Sequence, residues 1–261
     1  MYIVAHRPFD YLKSIKDIPG YIPIHCGKSI YMDTEQGYLP ELGDNTGNNI
    51  SWKNRYYCEL TGLYWIWKND KSQPDDIVGI EHYRRYFGDD ENTPLSYKNA
   101  EHILTYYDFI VNGAAVELQD LVRPQVECGE FDLGEYSVYR GYRDCHVISD
   151  MDCALRGIKK LYPDLYPVMN YELRQNGAMA ICNMMVTRKR YLDEFCSFLF
   201  PLYSWMEKEL NFQELMRTNE NQRFFGYLSE RLFHPWLMAT KHTAYTGAEL
   251  DFSKYSGYKW D

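Results

Sequence analysis

The sequence has no Cys-x-x-Cys pair, no signal-peptide start and no Pro-, Gly- or Ser-rich linker, and its Asn- and Gly-rich segment Gly43–Asn54 lacks the Gly-Lys-Ser/Thr ending of a phosphate loop. Each absence removes a class. Seven cysteines, at 26, 58, 128, 145, 153, 182 and 196, are an odd number without zinc-ligand spacing. They read as reduced thiols of a cytosolic chain rather than as a metal module or a disulfide framework. The start, M-Y-I-V-A-H-R-P-F-D, lacks a basic segment followed by an apolar core. Nowhere is there the run of roughly 18 apolar residues that a span requires. The expectation is a cytoplasmic chain without a transmembrane segment. Positive charge is also scarce: 28 Lys and Arg against 37 Asp and Glu give a net charge of −9. That argues against a nucleic-acid partner, since DNA and RNA binders neutralise phosphates with basic surfaces. Without a linker, residues 1–261 are expected to form a single domain. Residues 112–142 read as loops or a small lobe, and residues 240–261 as an irregular tail.

What the sequence does have is tyrosine, 25 of them, within an aromatic fraction of 16%. Such rings stack on, and hydrogen-bond to, sugars or bases, although most belong to a core. Short apolar runs at Tyr2–Ala5, Tyr21–His25, Ile77–Ile80, Asp108–Val111 and Met179–Val186 predict strands. Between them, Tyr57, Leu60, Tyr64 and Trp67 recur at helical spacing, with Ser51 as the expected N-cap. Further helices are predicted over Tyr97–Tyr107, Asp144–Tyr162, Lys189–Leu210 and Asn221–Ala239. Strands separated by helices indicate an α/β fold on a parallel or mixed sheet.

The most informative stretch is Ile80–Phe87, I-E-H-Y-R-R-Y-F, at the end of a predicted buried strand. Strand ends of open α/β sheets are where ligands bind, and Arg84 and Arg85 offer planar donor forks suited to phosphate. A structural ion pair between Glu81 and an arginine is the plainer reading. Upstream, G-D-N-T-G-N-N-I-S-W-K-N (Gly43–Asn54) resembles a ligand loop running into a helix N-terminus. Backbone N–H groups, Lys53 and the side chains of Asp44, Asn45, Asn49, Ser51 and Asn54 would line it. A helix-capping turn is the alternative. His25-Cys26-Gly27-Lys28 offers a thiol beside histidines, but a buried thiol explains it as well. In D-C-H-V-I-S-D-M-D, His146 and Asp150 lie one helical turn apart, as do Glu230 and His234 further on. Phe195–Trp205 is aromatic enough for peripheral membrane contact, though such a stretch more often belongs to a core.

Several segments together resemble a family of bacterial capsular and exopolysaccharide glycosyltransferases, catalogued as a domain of unknown function. They are I-P-I-H-C-G, G-D-N-T-G-N-N-I-S-W-K-N, C-E-L-T-G-L-Y-W-I-W-K-N, V-G-I-E-H-Y-R-R-Y-F, C-N-M-M-V, Y-L-D-E-F-C-S-F-L-F-P and Q-R-F-F-G-Y-L-S-E-R-L. The resemblance implies a Rossmann-like GT-A fold with a mixed, mostly parallel central sheet. It also implies transfer of a hexose, galactose or galactofuranose among the options, from a nucleotide-sugar such as a UDP-hexose to a glycan or lipid-linked oligosaccharide. Many GT-A enzymes close a central strand with D-x-D to hold a metal on the donor diphosphate. Here the strand is followed by E-H-Y-R-R instead. Two routes stay open: Glu81 and His82 hold Mn²⁺ or Mg²⁺, or Arg84 and Arg85 neutralise the diphosphate without metal. Under this reading His6, the Gly43–Asn54 loop, His82, Arg84, Arg85 and Asn183 bind the donor. Glu230, Asp150 and His146 are the base candidates for the acceptor hydroxyl. The reading from another class is a carbohydrate- or nucleotide-binding protein without turnover.

Overall fold

The structure is a computed structural model, and it describes residues 1–6, 18–31, 40–90, 93–112, 137–211 and 219–251. The residues group into two compact units that interleave along the chain. The first takes the described residues of 1–113, 182–196 and 244–261, the second those of 114–181 and 197–243.

The first unit is built on a seven-stranded sheet: β1 (Tyr2–Ala5), β2 (Ile22–His25), β3 (Ile77–His82), β4 (Arg85–Gly88), β5 (Phe109–Asn112), β6 (Met185–Arg188) and β7 (Ala244–Asp251). Its order is β2-β1-β3-β4-β7-β5-β6, with β6 also pairing with β3. β1 is parallel to β2 and β3, while β4 and β6 run antiparallel to β3. β5 runs antiparallel to β6, and β7 is parallel to β5. Five strands therefore point one way and only β4 and β6 the other, the mixed, mostly parallel sheet expected.

Apolar residues on both sides of these strands mark a sheet covered on both faces. β1 is buried along its whole length. Ile3 and Ala5 pack with Tyr21, Tyr83 and Tyr86 on one face. On the other, Tyr2 meets the Trp65 ring edge-on at 6.2 Å and donates its hydroxyl to Asp70. These partners belong to helix α2 (Leu60–Asn69) and its C-terminal end. Gly62 brings α2 down onto the sheet, because a Cβ there would stand 2.5 Å from Cys26 Sγ and 3.0 Å from Val4. The opposite half of the sheet buries Phe87, Ile110 and Val186 with Leu95, Ala100 and Leu104 around α3 (Tyr97–Ile103), whose first turn Ser96 caps.

The second unit is helical among its described residues. It holds α4 (Val138–Cys145), α5 (Ile148–Leu161), α6 (Tyr166–Gln175), the later turns of α7 (Lys189–Glu209) and α8 (Phe224–Thr240). Ser137 caps α4 through the Arg140 N–H. Gly157 admits Leu202 and Trp205 against α5, and the Tyr203 hydroxyl donates to the Phe225 carbonyl at 2.8 Å.

Several expectations need correction. Ser51 does not cap a long helix. It opens a single 3-10 turn, followed by the four-residue α1 (Asn54–Tyr57), and the chain breaks at Cys58 before α2 starts. The buried face of α2 is consequently Leu60, Leu63 and Ile66, while Tyr64 and Trp67 lie half-buried against each other. β6 begins at Met185 rather than Met179, because Cys182 and Asn183 both take left-handed backbone. The tail is not irregular throughout: residues 244–251 are β7. His146 stands outside helix α5, so it shares no helical face with Asp150. Phe195, Phe198, Leu199 and Phe200 are buried, which withdraws that stretch from any membrane surface. The expected loop or lobe at 112–142 lies, over 113–136, outside the described residues. Among the described residues no helix is long and apolar enough to cross a membrane.

Candidate functional site

β1, β2 and β3 run parallel, and the registers Ala5–His25 and Val4–His82 bring their C-terminal ends to one edge. β2 and β3 leave β1 on opposite sides, so the crevice beside β1 is a point where strand order reverses, the usual ligand position in such sheets. His6 follows β1 there, His25-Cys26-Gly27-Lys28 closes β2, and His82-Tyr83-Arg84 links β3 to β4.

The Gly43–Asn54 segment is a built loop. Asp44, fully buried, accepts from the backbone N–H groups of Gly27 (2.8 Å) and Lys28 (3.2 Å) and from the Ser51 hydroxyl (2.5 Å). Ser51 in turn accepts from the Ser29 N–H. Gly27 has φ of 74°, and a Cβ there would stand 2.7 Å from Asn54, so the β2 turn fits only a glycine against that side chain. Asn54 donates to the Cys58 carbonyl and the Thr61 hydroxyl. Asn49 bonds the Ser51 N–H and the Gly47 carbonyl, and Trp65, Tyr64 and Asn69 of α2 pin Thr46 and Asn48. Asp44, Asn49, Ser51 and Asn54, expected to touch a donor, thus hold the loop together. Asn45 is exposed, and Lys53 sits with its ammonium 5.2 Å from the centroid of the exposed Trp52 ring. A helix dipole at this point is not available, because the turns that begin at Ser51 are too short to sum one.

The octet forms a hairpin whose β3–β4 ladder is the single pair His82–Arg85. The His6 ring meets Tyr83 edge-on at 5.4 Å, and the Arg84 guanidinium lies 4.8 Å over the same Tyr83 ring. His82 Nε2 stands 3.9 Å from Glu59 Oε1, and Asn183 Nδ2 donates to that oxygen at 2.5 Å. Arg85 Nη1 donates to Cys182 Sγ at 3.1 Å. His82, Arg84, Arg85 and Asn183 therefore assemble on the predicted edge, joined by Glu59 and Cys182, which sequence reasoning missed. Backbone strain collects here: Cys58, Cys182 and Asn183 are three of the five non-glycine residues with positive φ among the described residues. Strained residues of this kind gather at functional sites.

Glu81 does not join His82. Successive strand residues point to opposite faces, and Glu81 is wholly buried while His82 faces Glu59. Burial pushes the Glu81 carboxyl up to about 8. Neither Glu81 oxygen has a hydrogen-bond partner of good geometry among the described residues. The expected metal pair is thereby divided. Among the described residues no group of three or more His, Cys, Asp or Glu side chains converges as a metal site. Asp89 accepts from the Ser96 N–H and Asp90 from the Thr93 hydroxyl, so the F-G-D-D acids build a turn. Cys26 is buried, and burial drives its thiol well above the usual range, which removes it as a nucleophile.

The base candidates lie in the second unit. His146 stacks on Tyr227 at 4.4 Å, and its Nε2 is 3.3 Å from Arg231 Nη2. Burial, then the Arg231 charge, lower its pKa to about 4, so the ring is neutral at pH 7. Glu230 pairs with Arg231 at 3.1 Å. Asp150 is buried in the first turn of α5.

The fold is similar to that of an apo structure of the bifunctional glycosyltransferase WbbM, with a TM-score of 0.74 and 22% identity. The likeness covers 96% of this chain but only 44% of that one, so the chain spans less than half of WbbM. No curated protein matches the chain. A family profile does match, over residues 1–242, and the chain belongs to that family, the domain of unknown function DUF4422.

Proposed function

We propose that the β1–β2–β3 edge is the donor site of a glycosyltransferase that uses a nucleotide-sugar, UDP-hexose by preference, to extend a cell-surface glycan precursor. The observation that carries this reading is the placement of His82, Arg84 and Arg85 on one hairpin at the reversal point of the sheet. Negative charge accumulates on the departing diphosphate, and fixed cationic donors at that point lower the barrier. The two guanidinium groups supply them, with the His82 ring beside them, without the Glu81 and His82 metal pair. Lys53 and Asn45, at the surface of the neighbouring loop, extend the donor pocket, and His6 and Tyr83 offer rings for the base. Glu59, fixed by Asn183, presents a carboxylate to sugar hydroxyls. The acceptor hydroxyl needs a base within hydrogen-bond reach, and Glu230, Asp150 and His146 remain the proposed residues. Capsular or exopolysaccharide assembly, at the inner face of the cytoplasmic membrane, is the setting that the resemblance suggests.

Isothermal titration of UDP, with and without Mn²⁺, tests the reading. Arg84→Ala with Arg85→Ala should weaken binding about 10- to 100-fold, the loss expected for charge-assisted hydrogen bonds. Manganese should leave the affinity unchanged. Absence of UDP binding in both conditions overturns the UDP-sugar reading. UDP-hexose hydrolysis or transfer, lost in Glu230→Gln, Asp150→Asn or His146→Gln at unchanged UDP affinity, separates an enzyme from a binding protein and identifies the base.

A further inference from the structure

Within the first unit, a cleft of about 230 Å³ opens between α3 and strands β4, β5 and β7. It sits at the Gly88 end of β4, the end opposite Arg85. Its floor is apolar, made by Phe87 and Ile110, and Gly247 keeps it low, since a Cβ there would stand 3.0 Å from Phe87. Its rim is polar. Asn99 and His102 come from α3, Tyr245 from β7 and Asp89 from the turn after β4. Among the described residues, the Asn99 amide, the His102 ring nitrogens and the Tyr245 hydroxyl have no hydrogen-bond partner.

Exposed rings stand against two of the lining residues. Tyr107 lies 5.5 Å from Tyr245, and Tyr106 meets His102 edge-on at 5.6 Å. Tyr106 is 70% exposed, Tyr107 40% and Tyr245 39%. An apolar floor beside unused donors and acceptors, framed by amphipathic rings, suits a ligand with one apolar face and many hydroxyls. A phosphate suits it poorly, because Asp89 brings a carboxylate to the lining and, among the described residues, neither lysine nor arginine lines the cleft. A hexose ring has the required chemistry: its C–H face stacks on tyrosine while its hydroxyls meet Asn99, His102 and Asp89.

We propose that this cleft binds a hexose unit of a neutral oligosaccharide, as a glycan site separate from the donor edge. Its geometry stands whether or not UDP-hexose is the donor. The test uses saturation-transfer NMR and titration of the full chain with maltotriose, a β-linked galactotriose and mannotriose, each repeated in saturating UDP. At least one trisaccharide should bind, and UDP should not displace it. Tyr245→Ala should weaken binding about 10-fold, the loss of a stacked ring. Asn99→Ala, at an exposed helix position that tolerates alanine, should weaken it about 3-fold without affecting folding. No saturation transfer from any of the three, or equal affinity in both variants, overturns the proposal. Displacement by UDP also overturns it, by returning the sugar to the donor edge.

Discussion

The side-chain amide of Asn183 donates to Glu59 Oε1 across 124 residues of sequence, and each partner is flanked by strained backbone. Cys58 has φ of 51°, Cys182 of 65° and Asn183 itself of 50°. Asparagine visits the left-handed region more readily than most side chains, so it satisfies both the turn and the bond. Asn183→Ala should therefore destabilise the protein by about 2–4 kcal/mol, from a lost charge-assisted bond plus left-handed strain. Asn183→Gly keeps the turn and should recover about 1 kcal/mol of that loss. Urea unfolding midpoints decide. Equal midpoints for the two variants would show that the strain contributes nothing.

Asp44 is a second anchor of the same edge. Replacement by Asn turns one acceptor oxygen into a donor that faces a backbone N–H or the Ser51 hydroxyl. Asp44→Asn should cost about 2–3 kcal/mol and weaken UDP binding by loosening the Gly27 turn. Thermal unfolding and titration on the same sample check both effects. Wild-type stability in this variant would remove Asp44 from the frame of the loop.

Glu81 gives a pH signature. Its folded pKa is raised by burial to about 8, from a usual value of 4.5. The folded state therefore holds the proton more tightly than the unfolded state does. This contribution is fully present below pH 4.5 and is lost as pH rises toward 8. Glu81→Gln should thus gain stability over wild type at pH 8, on the order of a few kcal/mol, and converge with it near pH 4. Denaturant unfolding across that window reads it directly. Parallel curves would mean that Glu81 is solvated in the native state.

His146 should titrate the other way. With a folded pKa of about 4 it stays neutral through pH 5, whereas an unperturbed imidazole is half charged near 6.5. Its depressed pKa contributes stability above pH 6.5 that is lost as pH falls toward 4. Ring nitrogen shifts followed by NMR should show a midpoint near 4 and no inflection near 6.5. Arg231→Met should raise that midpoint in part, since burial acts more strongly than the arginine charge.

Much of this was legible in the residues. The strands at 2–5, 22–25, 77–82 and 109–112 announce themselves because runs of three or four apolar residues have little alternative to burial. The cluster at the sheet edge was legible for the same reason: His82, Arg84 and Arg85 close one of those runs. What escaped depends on contacts distant in sequence. Glu59 reads as the start of an amphipathic helix until Asn183 is brought to it. M-A-I-C-N-M-M-V is apolar but for Asn183, so the run reads as one strand and hides the left-handed turn at Cys182–Asn183. A-Y-T-G-A-E-L-D is a strand only because β4 and β5 stand on either side of it. The two units interleave along the chain, which is why no linker marks them.

That last strand has a consequence for synthesis. β7 lies between β4 and β5, yet it leaves the ribosome after every other described strand. Until then β4 and β5 each present an unpaired edge, the kind of surface that recruits other chains. A sheet closed by its most distant partner folds late and slowly. The nascent protein should therefore be a strong client of holding chaperones, with release timed to the emergence of residues 244–251.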